Sequence, residues 1–216
     1  MKEEITRIEG SDGPTAVFIA GRNNGTITIR QRIQRFINRT RRKHIENYIK
    51  AEPHTINQVC EYIVEKLGYV ELSKEDPKYQ EDYQEMRASF LIQYEPELLG
   101  SLAHIGDLTE QTEEAINYYL SQLKIQQEAA KKVPVEFFDI DLHIYTKENG
   151  DNESHIIVEK TRNYIGGGAS GNTKMVRRHN REFKKVYRYY GVSDEDIQNK
   201  SERFEEVVRM LALPMR

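Results

Sequence analysis

The sequence predicts an α+β fold, mostly helical, with one small antiparallel sheet. Two observations carry this. Apolar residues recur at helical spacing through the middle and end of the chain, and they alternate with polar ones near 138–145. A third is the opening 30 residues, where short apolar runs alternate with Gly-, Asn- and Pro-rich turns, as strands require. The expected organisation is a single domain over 1–216. It has N-terminal strands at 1–27, a helical middle at 28–131, a hairpin at about 135–165 and C-terminal helices at 173–212. The sheet is expected to join the N-terminal strands to that hairpin.

Residues 5–8 and 15–20 flank the turn former Gly10-Ser11-Asp12-Gly13-Pro14, and Gly21-Arg22-Asn23-Asn24-Gly25 marks a second turn. From about 28 to 49 the period becomes helical, with Ile29, Ile33, Phe36 and Ile37 on one face, and Pro53 stops the helix. Thr55 N-caps the next helix, which Gly68 ends. A helix from about Pro77 to Gln93 ends before Pro96, and another spans about Thr109 to Lys131. Phe138, Ile140, Leu142 and Ile144 then alternate with polar residues, a half-buried strand whose partner is expected at 155–165. Residues 166–172 read as a Gly-rich loop. A helix follows from Thr173 to Tyr190, ended by Gly191, and Ser193 caps a last helix to about Leu211.

A chain of 216 residues buries roughly 70–75% of its unfolded surface and holds a core unaided. The single cysteine, Cys60, excludes an internal disulfide and suits a reducing compartment. The longest apolar run is Ala16-Val17-Phe18-Ile19-Ala20, far short of the ~20 residues that cross a bilayer. A soluble, cytoplasmic protein is therefore expected, and no cofactor motif is complete.

The net charge of −3 hides two basic blocks. Residues 30–50 hold eight Lys/Arg and one Glu, a local +7, and 174–188 hold seven and one, a local +6. On a helical wheel Lys174, Arg177, Arg178, Arg181, Lys184, Lys185 and Arg188 share one third of the circumference. The apolar Met175, Val176, Phe183, Val186, Tyr187 and Tyr190, with His179 among them, take the opposite third. The earlier block shows a similar stripe of Arg32, Arg35, Arg39, Arg42 and Lys43. Solvated faces ordinarily mix signs, because opposite charges at i, i+4 stabilise a helix and like charges oppose it. Such stripes can neutralise the phosphates of a nucleic acid or meet an acidic protein. A solvated face, or docking against the acidic stretch 71–97, is the structural alternative.

Three further segments offer chemistry. Gly167, Gly168, Gly171 and Thr173 stand between a strand and a helix, where backbone N–H groups can hold an anion. The order is not a P-loop, since Asn172 and Thr173 occupy the positions its Lys and Ser/Thr need. Asp139, Asp141 and His143 alternate along one strand and could share a cation, with Glu159 or His155 joining from the partner strand. Together these give the reading of a metal-dependent enzyme acting on a phosphate-containing substrate. Exposed acids on a half-buried strand look the same.

The third is Gly10-Ser11-Asp12-Gly13-Pro14-Thr15-Ala16-Val17-Phe18. It resembles a motif of the β subunit of sodium-ion-translocating decarboxylases. Over more of its length the chain resembles short proteins of Gram-positive anaerobes that carry this same opening segment. The resemblance implies a sodium-binding role for the aspartate, here Asp12. That family is built of many transmembrane helices, so for this chain the resemblance implies a soluble accessory of such a system. Read from its residues alone, the segment is a tight turn. Of these readings, the leading expectation is a non-catalytic binding or regulatory protein that meets a polyanion or acidic partner through its basic helices.

Overall fold

The computed structural model describes residues 29–106, 112–150 and 152–213. The expected strands at 5–8 and 15–20, and Asp12 with its motif, lie outside the described residues. The described chain is α+β and mostly helical, with one small antiparallel sheet. In order it runs α1 (Ile29–Tyr48), α2 (Ile56–Glu65), β1 (Val70–Glu71), α3 (Pro77–Tyr94), a 3-10 segment (Pro96–Leu102) and α4 (Glu113–Lys132). It continues through β2 (Leu142–Asn149), β3 (Asn152–Glu159), β4 (Tyr164–Ser170), α5 (Thr173–Tyr190), α6 (Asp194–Asn199) and α7 (Glu202–Ala212). The sheet order is β1-β2-β3-β4. Among the described residues, 72–142 form one compact unit, and 29–71 with 143–213 form the other.

The first unit is α3 and α4 with the segments around them. Asp76 caps α3 and Pro77 opens it, where its missing N–H costs nothing. Its interior is Tyr79, Met86, Ala88, Phe90, Leu91, Ala130, Phe138 and Ile140. Arg87 is fully buried among them, donating through Nε to the Phe138 carbonyl at 2.7 Å and through its second arm to the Val133 carbonyl. Val133 is the C-cap of α4, so this guanidinium sits where a helix end favours positive charge. The Tyr79 hydroxyl donates to the Leu142 carbonyl at 2.9 Å.

The second unit holds a larger core. Val59, Cys60 and Ile63 of α2, Ile156, Val158 and Ile165 of the sheet, Val186 and Tyr187 of α5, and Phe204, Val207 and Val208 of α7 form one cluster. Helix α2 starts with a full capping box, Thr55 and Gln58 satisfying each other's backbone N–H groups. Helix α5 opens on Asn172, whose side chain accepts from the Met175 N–H, and closes on Gly191 at φ +59°. A Cβ there would collide with the Glu52 carbonyl oxygen. Arg203 of α7 fastens this corner: Nε reaches the Gly191 carbonyl at 2.8 Å, Nη2 reaches that of His54 at 2.9 Å and that of Tyr190, and the guanidinium lies 3.8 Å over the Tyr190 ring.

Three expectations need correction. The partner strand does not run from 155 to 165, because β3 ends at Glu159 and β4 begins at Tyr164. Glu159 is fully buried, and its carboxylate accepts from the Thr161 and Arg162 N–H groups at 3.1 and 2.8 Å, which turns the chain. The glycines after it are strand, not loop, with Ile156 opposite Gly167 and His155 opposite Gly168. A Cβ at Gly167 would stand 2.6 Å from the His155 carbonyl oxygen and 3.2 Å from the Phe183 ring, so glycine here lets α5 lie close on the strand. The last helix is two, since Lys200 takes the left-handed conformation at φ 48° and Ser201 caps α7 afresh.

Candidate anion-binding surface

Helix α5 presents two unlike faces. Inward lie Met175, His179, Glu182, Val186, Tyr187 and Tyr190, all buried. Burial forces the polar members to find partners. Tyr69 donates to Glu182 Oε2 at 3.1 Å, Lys147 reaches Glu182 Oε1 at 3.2 Å, and Arg178 reaches it at 3.0 Å. With its proton given to Glu182, the Tyr69 oxygen stands 3.3 Å from His179 Nδ1, which is then the donor. Burial, with His155 nearby, pushes the His179 imidazole down to about 4. Burial alone would push Glu182 up, but the Arg178, Lys147 and Tyr69 donors outweigh it and hold the carboxyl below its usual range. His179 is thus a neutral member of a packed polar network.

Outward, Lys174, Arg177, Arg181, Lys185 and Arg188 are all exposed. On α1, Arg32, Arg35, Arg39 and Lys43 are exposed as well. Among the described residues none of these nine meets an acid. The other three expected cations are engaged. Arg42 pairs with Glu46 at 2.7 Å and with Glu205 of α7. Arg178 holds Glu182. Lys184 donates to the Leu211 carbonyl at 3.1 Å and to that of Leu213, the C-cap of α7. Burial lowers its ammonium below the usual lysine range, and Arg41 and Arg188 lower it further. Both basic helices pack on α7, and Lys184 of α5 shares a pocket lining with Arg41 of α1.

Between α1 and the end of α7 runs a groove holding roughly 720 Å³. Phe36, Ile37 and Ile45 of α1 and Leu211 and Leu213 at the end of α7 supply its apolar lining. Thr40, Arg41, His44 and Lys184 supply its polar lining, and no acid among the described residues lines it. Sequence reading passed over Arg41 and His44, which lie off the basic stripe of α1. The signal was present in Phe36 and Ile37, expected on a packed face. Phe36 is instead 71% exposed and Ile33 54%.

The remaining expected sites are dispersed. Gly167 and Gly168 are committed to β4, and Thr173 is the first residue of α5 behind the Asn172 cap. Gly171 takes φ +123° in the turn before it. Asp139 accepts from the Tyr83 hydroxyl at 2.5 Å and precedes the strand. His143 Nδ1 lies 2.5 Å from Glu71. No three His, Cys, Asp or Glu side chains gather as a metal site among the described residues. No helix among the described residues is long and apolar enough to cross a membrane. Comparison with protein-family models, curated proteins and solved structures finds no match to this chain.

Proposed function

We propose that this chain is a binding protein whose α1 and α5 cations engage an anionic macromolecule. One observation supports this reading: nine exposed Lys and Arg residues on α1 and α5, two helices that both pack on α7, lack an acidic partner among the described residues. Like charges in register along a helix oppose its folding by a few tenths of a kcal/mol per pair. An external anion relieves that cost, and counterion release adds affinity. The buried network under α5 fixes the rotation of the helix and keeps its basic face outward.

The test is a salt titration of binding to mixed-sequence RNA, DNA and poly-glutamate. Binding is expected at low salt and is expected to weaken steeply as salt rises. Replacing Arg35, Arg39, Arg181 and Lys185 by Gln should flatten the log–log slope on DNA by roughly 0.9 for each phosphate that is no longer neutralised. Absence of binding to all three polymers at low salt, or binding that ignores the four substitutions, would overturn the reading.

A further inference from the structure

We infer that the groove between α1 and the end of α7 receives an acidic amphipathic helix of a partner protein, a conclusion that rests on the anionic-partner reading and narrows it. The groove combines an apolar lining with cations and, among the described residues, no acid. A phosphate backbone would use the cations and leave the apolar lining wet. A helix with Leu-type residues on one face and Glu or Asp beside them uses both, the helix-in-groove mode of recognition. The fit in length is natural, because residues 36–45 of α1 span ~14 Å, two to three helical turns.

Two other occupants fit less well. A small amphipathic anion would be expected in a pocket that encloses roughly 70–90% of its surface, whereas Phe36 in this wall is 71% exposed. A second copy of the chain docking by the same patch would face Arg41 and the α1 stripe against themselves, and like charges so placed oppose association. An acidic partner turns that same charge into attraction. The apolar strip also extends past the groove, with Ile33 54% and Tyr48 71% exposed on the same helix. Apolar side chains gathered on one exposed face, with cations beside them, mark a contact surface.

The experiment is fluorescence anisotropy on the full chain with three labelled probes. The first is an 18-residue peptide with Leu at helical i, i+3, i+4, i+7 spacing and Glu between. The second has the same composition with the spacing scrambled. The third is a single-stranded DNA oligonucleotide. The patterned peptide is expected to bind at least about tenfold tighter than the scrambled one, the effect of one or two well-buried apolar side chains. Phe36→Ser should remove that preference, and its melting temperature should hold because the side chain is exposed. Arg41→Glu, at the rim, should weaken the patterned peptide several-fold and make its binding less salt-sensitive. Equal binding of both peptides, abolished by neutralising the basic stripes, would overturn this inference and leave the anionic-partner reading standing. Failure of all three probes at low salt would overturn both. DNA binding that itself disappears in Phe36→Ser would give the groove to nucleic acid. A dimer in sedimentation that Phe36→Ser dissolves would give it to a second copy. Either result sinks the proposal.

Discussion

His179 shows how much a single side chain's setting decides. On the wheel it falls among Met175, Phe183 and Val186, which reads as a packed position. The structure agrees, but it adds a hydroxyl partner and an imidazole held down to about 4 by burial. An unfolded histidine titrates near 6.5. Between about pH 6.5 and 4 the unfolded chain therefore binds a proton at this position that the folded chain refuses. This part of the stability is complete above pH 6.5 and is lost as pH falls toward 4. Glu182, held below its usual range, loses stability in the same direction at lower pH. Glu206, raised by burial, runs the opposite way. The expected outcome is a melting temperature that falls on acidification through this window and falls less in His179→Gln. Thermal melts of both proteins at half-unit pH steps would check it. Equal slopes would remove His179 from the account. Glu159 is a contrasting lesson. It was legible as an acid on a strand, yet its carboxylate is spent on two backbone N–H groups of its own turn. Nothing in a residue's type announces that a neighbouring turn needs it.

At the scale of elements, the helices were legible because their ends carry chemistry. Thr55 with Gln58, Pro77, Gly191 and Ser193 each answer an unsatisfied backbone group or a required dihedral, and each sits at an observed boundary. Strand β4 was not legible, because its glycines are selected by a contact distant in sequence. Only the packing of Phe183 and the close approach of the His155 carbonyl oxygen explain why Gly167 has no side chain. Gly167→Val is expected to cost about 1–3 kcal/mol, the usual penalty of overpacking, read as a lower midpoint in urea. Strand β1 escaped for another reason, since two residues are too few for any period to show. The corner where α5 meets α7 yields a sharper expectation. Arg203 serves three carbonyls and one ring at once. A lysine ammonium cannot span that fork, so Arg203→Lys should leave at least one buried carbonyl unpaired and cost about 1–3 kcal/mol. An unchanged urea midpoint would show that water replaces the missing arm.

At the scale of the whole molecule, the two basic blocks were visible as composition, and their exposure follows from the one-sided wheel of α5. Their shared support was not visible. Both pack on α7, with Lys184 reaching its terminal carbonyls and Arg42 reaching Glu205. The groove is still less readable, since three segments far apart in the chain build it. One further feature turns the molecule into its own instrument. The single thiol, Cys60, is buried in the core of the unit that carries the basic helices. A thiol reagent can reach it only when that core opens, so the labelling rate under native conditions is a clock for opening of this unit. Labelling of the intact chain should be slow, and it should accelerate in Arg203→Lys by roughly tenfold for each 1.4 kcal/mol of stability lost. An anionic partner seated on α1 and α5 should slow it, by roughly tenfold for each tenfold by which its free concentration exceeds its Kd. The clock needs no engineered probe, and it would time the arrival of a partner before that partner has a name.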